Sequence, residues 1–358
     1  MHLHLILPGL LWPDKILRDT SRDLELPALS WLLGHARRQW HAASAPEATL
    51  CRAFGLPATA DTAPPYAALR RAAEADAQAG DDDFYWLCAD PVHLAIEQRH
   101  ITLARHAPQA SNEEMQAIAT ALAPLLAEAP EFGSFHAGGN GRGYLRLPVA
   151  PAIHTTPPSR ITGYDDLLPQ GEAAARPWRR LLNEAQMALH QLPFNEQRDA
   201  HGQPRLNSLC LWGEGRLPTM QTLASTVPRL SQCHGDDALL AGLARRAGIP
   251  HQTTPCAIRT QLEKTHNNGR HLLWLPTLQA AACQYDVLRW REQLLQLETE
   301  WFTPLRLALR QARLHRLCLS LPGPEYNLEL ELSRTAALRF WRKPCPLHAL
   351  ADLPHHPT

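Results

Sequence analysis

The segment RLNSLCLWGEGRLP, residues 205 to 218, joins a short apolar run to Gly213-Glu214-Gly215 and then to an Arg. Two structures produce such a pattern: a glycine loop that cradles a phosphate, or a strand that ends in a tight turn. No Lys-Ser/Thr follows the glycines, as a P-loop requires. The glycines are therefore read as letting the chain leave a buried strand sharply and approach other backbone closely. Glu214 and Arg216 are expected to pair with neighbours such as Arg198, while Asn195 and Asn207, if buried, must find partners.

Outward from this strand the chain alternates helices and strands. Buried-strand candidates are 3–8, 84–94 with a turn at Asp90-Pro91, 270–276 and three short runs within 316–342; a glycine-rich hairpin is expected over 131–149. Helices are expected over 26–40, 64–80, 112–129 with Ser111 as N-cap, 171–198 stopping near Pro193, 235–250, and 285–314 broken at Pro304. Such alternation argues for a mainly parallel sheet covered on both faces. The division expected is a core of residues 1–90 and 206–358 with an inserted smaller α+β subdomain over 91–205.

Composition narrows the class. The chain has 358 residues, 45% hydrophobic and 20% charged, with formal net charge zero. A packed globular protein is expected, and no global attraction draws it to nucleic acid or an anionic membrane. The N-terminal run lacks a preceding Lys or Arg and is interrupted by Pro8 and Pro13, so it reads as neither signal peptide nor span. Eight cysteines stand singly without a Cys-x-x-Cys, which fits reduced thiols in a cytoplasmic protein. The 19 histidines have no zinc spacing.

The run 181–218, with YWLCADPVHL (85–94) before it and GYLRLP (143–148) between, resembles the bacterial RpfE-type regulatory proteins, a family similar to the archaeal-type cofactor-independent phosphoglycerate mutases. In those mutases a segment of the form His-Pro-x-Asn, Arg, Gly, Asn, apolar strand, Gly-x-Gly occupies the matching place; here it reads Leu192, Pro193, Phe194, Asn195, Arg198, Gly202, Asn207 and Gly213-Glu214-Gly215. The resemblance implies an alkaline phosphatase-like three-layer α/β fold. It also implies that an active relative would hold two divalent metals, such as manganese or zinc, at the C-terminal ends of parallel strands. Phosphoryl transfer needs such cations to neutralise the phosphoryl oxygens and activate the nucleophile.

The sequence departs from that pattern. Pro8-Gly9-Leu10, Pro276-Thr277-Leu278 and Pro322-Gly323-Pro324 stand where Asp and His ligands are expected, and no Asp-His dipeptide occurs. Asp90 and His93 could form an acid–base pair, although Asp-Pro also starts turns. His234-Gly235-Asp236-Asp237 could hold a metal but sits where a helix N-cap belongs. Gly138 to Gly143 could bind an anion through backbone N–H groups, or could be only a hairpin loop. Asn183, Glu184, Gln186 and His190 lie along one helix as a ligand-facing or solvated set, and Trp212, Glu214 and Arg216 complete the motif.

The expectation is a fold kept without its metal chemistry, free of resident cofactors, binding a small phosphorylated ligand or a protein partner in a regulatory role. The alternatives are an active metal-dependent mutase or phosphatase with displaced ligands, and an interaction module anchored by tryptophans.

Overall fold

The computed structural model describes residues 1–58, 63–97, 100–104, 110–217, 230–259, 262, 269–339 and 341–354. The chain forms two compact units, Met1–Gly55 with Ala224–Thr358, and Leu56–Leu223. The strands are β1 (His2–Ile6), β2 (Arg37–Ala42), β3 (Tyr85–Glu97), β4 (His100–Ala104), β5 (Ser134–Ala137), β6 (Gly143–Leu147), β7 (Ser208–Gly215), β8 (Gln232–His234), β9 (His251–Gln252), β10 (Arg270–Trp274), β11 (Arg316–Pro322) and β12 (Tyr326–Ser333). The inserted unit is wider at both ends than 91–205, because β3 pairs with β7 rather than with the parallel sheet.

In the first unit the order is β2-β12-β11-β1-β10-β8-β9. Strands β11, β1, β10, β8 and β9 run parallel, and β12 and β2 add an antiparallel edge. This is a mixed α/β unit with a largely parallel sheet. Leu3 and Leu5 of β1, Leu317, Leu319 and Leu321 of β11, and Leu328, Leu330 and Leu332 of β12 enter one core with helices Pro27–His35, Val287–Leu297 and Thr303–Arg310. Each fully buried Leu contributes about 2 kcal/mol by removing its surface from water. Between the last two helices, Glu298–Phe302 form a π-type turn, which absorbs the register change before Pro304 without ending the helix. Buried Glu298 accepts from the N–H groups of Ala28 (2.5 Å) and Leu29 (3.0 Å), capping the helix that starts at Pro27.

Two expectations change here. The helix expected over 26–40 ends at His35, and β2 follows because β12 offers an open edge to residues 37–42. With that edge taken, the segment expected to form the last strand instead opens as a 3-10 helix, Arg334–Leu338; Phe340 lies outside the described residues.

The second unit is built on antiparallel pairing. β3 lies between β6 and β7 along its first half and pairs with β4 beyond His93. The turn expected at Asp90-Pro91 is mid-strand. Pairing to β6 ends at Cys88 and pairing to β4 begins at His93, so Pro91, which has no N–H, sits where β3 has a neighbour on one side only. Helices Asn112–Glu128 and Ala175–His190 close the core through Ile118, Leu122, Leu182 and Leu189. Ser111 and Glu114 form the capping box of the first. The helix expected over 64–80 spans only Tyr66–Arg71, beyond which Arg71 folds back onto Asp76 (2.5 Å) and Asp81 (3.2 Å).

Candidate functional site

The C-terminal ends of β1, β10 and β11 are closed by apolar side chains. Leu7, Leu10, Leu275, Leu278 and Leu321 are buried there, and the indole of Trp290 donates to the Gly9 carbonyl at 2.7 Å. A Cβ on Gly9 would stand 2.6 Å from the backbone of Leu278 and Gln279, so main chain abuts main chain. Beside them His234, at the end of β8, is held neutral by burial, its pKa lowered to about 4. Asp237 caps helix Ala238–Ala247, accepting from Leu239 and Leu240 N–H at 2.7 and 3.3 Å. Among the described residues no group of three His, Cys, Asp or Glu side chains could hold a metal ion. These strand ends do not fit a two-metal centre, which requires converging carboxylates and imidazoles.

In the second unit the motif residues are spent on the fold. Asn195, fully buried, donates to the carbonyls of Leu189 (2.8 Å) and Leu206 (3.2 Å) and accepts from Leu206 N–H (2.8 Å). Arg198 makes a two-pronged ion pair with Glu114 at 2.7 and 2.8 Å. Asn207 exchanges two hydrogen bonds with the backbone of Leu94. Arg198 is thus not the partner of Glu214 or Arg216. Glu214 instead accepts from Thr155 through both N–H and hydroxyl, and burial raises its pKa. The guanidinium of Arg216 lies over the Tyr85 ring at 5.4 Å. Gly213, with φ +73°, brings β7 against Tyr66, where a Cβ would sit 2.8 Å from the Tyr66 side chain. The glycine pair therefore serves close approach, and Pro218 lies outside the described residues.

Asp90 and His93 do not face each other as acid and base. Asp90 pairs with Arg70 at 2.8 Å and accepts from the Trp212 indole (2.9 Å) and Gly143 N–H (3.2 Å). The Arg70 guanidinium stacks over both Trp212 and Tyr144. His93 instead contacts the Arg205 carbonyl at 2.8 Å through Nδ1. The Gly138–Gly143 loop does receive an anion, the chain's own Glu74. Burial opposes ionisation of Glu74, yet bonds from Arg142, Gly139 N–H and Tyr144 hold its pKa below the usual value. On helix Ala175–His190, Asn183 and His190 are exposed, Glu184 pairs with Arg180 (2.8 Å), and Gln186 donates to Ser208 (3.2 Å).

A site that sequence reading missed lies on the first unit's polar sheet face. A cavity of about 530 Å³ is lined by His2 and His4 of β1, Arg270 of β10, Arg316, Cys318 and Ser320 of β11, Asn327, Glu329 and Glu331 of β12, and His41 of β2. Thr49, Arg52 and Ala53 of helix Pro46–Ala53 complete the wall. The His4 Nε2 and the Ser320 hydroxyl are 2.8 Å apart. Burial lowers the His4 pKa to about 4, against a smaller upward pull from Glu329, so the ring is neutral near pH 7. The Cys318 thiol donates to Glu329 at 3.1 Å, and burial raises its pKa, keeping it protonated. Arg316 is paired with Glu331, and His41 lies 3.7 Å from Glu329. The signal was present in His-Leu-His-Leu, Arg-Leu-Cys-Leu-Ser-Leu and Asn-Leu-Glu-Leu-Glu-Leu: three neighbouring strands alternate strictly, so one face must be polar.

Fold and site together define an α/β protein with apolar strand ends and a polar cavity on the sheet face. Its solved structural neighbours include the cofactor-independent phosphoglycerate mutase from Thermoplasma acidophilum DSM 1728, at 16% identity and TM-score 0.49, with 99% of this chain and 95% of that one covered. Another is the PH0037 protein from Pyrococcus horikoshii, at 14% identity and TM-score 0.49, with 93% and 87% covered. No protein-family model and no curated protein matches the chain.

Proposed function

We propose that this chain is a phosphoglycerate mutase-like protein of the RpfE type, with an alkaline phosphatase-like fold, that works by binding rather than by metal-dependent phosphoryl transfer. The observation that carries this reading is the closure of the strand ends by Leu7, Leu10, Leu275, Leu278 and Leu321, where a phosphotransferase would need charged ligands. The motif residues 192–215 support it as well, since their polar atoms are engaged with backbone or neighbouring side chains and support a scaffold. The partner proposed is a small phosphorylated molecule or a protein, bound in a regulatory role. Eight free cysteines favour a reducing, cytoplasmic setting, and no described helix is long and apolar enough to cross a membrane.

The test is turnover. Purified protein incubated with manganese or zinc should neither interconvert 2- and 3-phosphoglycerate nor release phosphate from either. Metal-dependent turnover that persists through purification and disappears on chelation would overturn the proposal.

A further inference from the structure

The sheet-face cavity takes no part in the strand-end chemistry, and its charge is unevenly distributed. Arg270, His2 and Arg316 are register partners on three adjacent strands, so one row of the cavity sets two guanidiniums around an imidazole. Two residues further along β1 stands His4 and four further along β11 stands Ser320, about 7 and 13 Å from the first row by strand rise, and the two form a hydrogen-bonded pair.

The two acids are already engaged. Glu331 holds Arg316, and Glu329 receives the Cys318 thiol and faces His41. The Arg270 guanidinium has no hydrogen bond or ion pair among the described residues, and Arg52 adds a third cation to the wall. The Arg316–Glu331 pair is 50% and 30% exposed, so a stronger anion can compete for it at small cost.

We infer that this cavity binds a small oxyanion, a phosphate monoester or a carboxylate, carried on a hydroxylated body. The anionic group meets Arg270 and Arg316, where planar N–H forks suit an oxyanion. The hydroxyls reach the neutral His4 imidazole and Ser320, which can both donate and accept. A cavity of about 530 Å³ suits a metabolite-sized molecule. This assignment rests on the binding role proposed above and gives it a location.

Calorimetric titration of the full chain with inorganic phosphate, glycerol 3-phosphate, glycerate and glycerol tests it. Glycerol 3-phosphate or glycerate should bind and glycerol should not; a preference for glycerol 3-phosphate identifies the phosphate ester, and the reverse identifies the carboxylate. Arg270→Ala should weaken the bound anion by about tenfold or more, the weight of one charge-assisted contact. Glu331→Gln frees Arg316 and should tighten binding several-fold, a gain that a misfolded variant cannot imitate. Anion binding unchanged in both variants, or no anion binding at all, overturns the site. Metal-dependent turnover of 3-phosphoglycerate would instead sink the non-catalytic reading, whatever the variants do to affinity.

Discussion

Asn195 illustrates how a residue that looks like a ligand contact is claimed by the fold. Its amide satisfies three backbone groups within one buried knot, so Asn195→Ala leaves them unpaired and should cost about 2–4 kcal/mol, measured by urea unfolding. Asp90 is a stronger case. Arg70 and Asp90 are 10% and 20% exposed, and removing the carboxylate strands a guanidinium between two aromatic rings. Asp90→Ala should therefore cost about 3–5 kcal/mol. A loss below about 1 kcal/mol would show that Asp90 is not structural and reopen its role at a site. At this scale the sequence was legible where a side chain serves its own element: Ser111 and Asp237 are N-caps as expected. It was not legible for Arg198, whose partner Glu114 is distant in sequence and chosen by packing.

Among elements, strand alternation decides the site. The strands β1, β11 and β12 were expected as buried runs, and their leucines are buried; the intervening His, Arg, Cys, Ser and Glu residues were the overlooked half of the same pattern. Local sequence could not show that the three strands are neighbours, which long-range pairing alone supplies. One consequence is acid sensitivity of the first unit. His4 titrates near 4 when folded against about 6.5 when unfolded, so between these values the unfolded chain binds the proton and the folded chain does not. Its contribution is complete above pH 6.5 and is lost as pH falls towards 4, by roughly 3 kcal/mol. His4→Asn should flatten unfolding free energy against pH in this window, leaving the share of His234, lowered to about 4 as well. An unchanged slope would show that His4 is not buried neutral. For β7, Gly213→Ala forces a side chain into φ +73° beside Tyr66 and should cost about 2 kcal/mol or more.

For the whole molecule, each unit has its own hydrophobic core, one around the β1 and β11 leucines and one around Ile118, Leu182 and Leu211. Residues 56–223 are continuous in sequence and should fold when expressed alone, giving a cooperative thermal transition and dispersed amide resonances. The alternation of helices and strands made the α/β class legible. The limits of the insertion were less so, because β3 and β7 find each other across more than a hundred residues. The strand-end departures at Pro8-Gly9-Leu10, Pro276-Thr277-Leu278 and Pro322-Gly323-Pro324 were visible directly, and they sit among buried leucines in the fold. The most direct measurement is equilibrium dialysis of the purified chain against manganese. The leucine-lined strand ends predict no saturable uptake; two tightly held equivalents per chain would contradict the account.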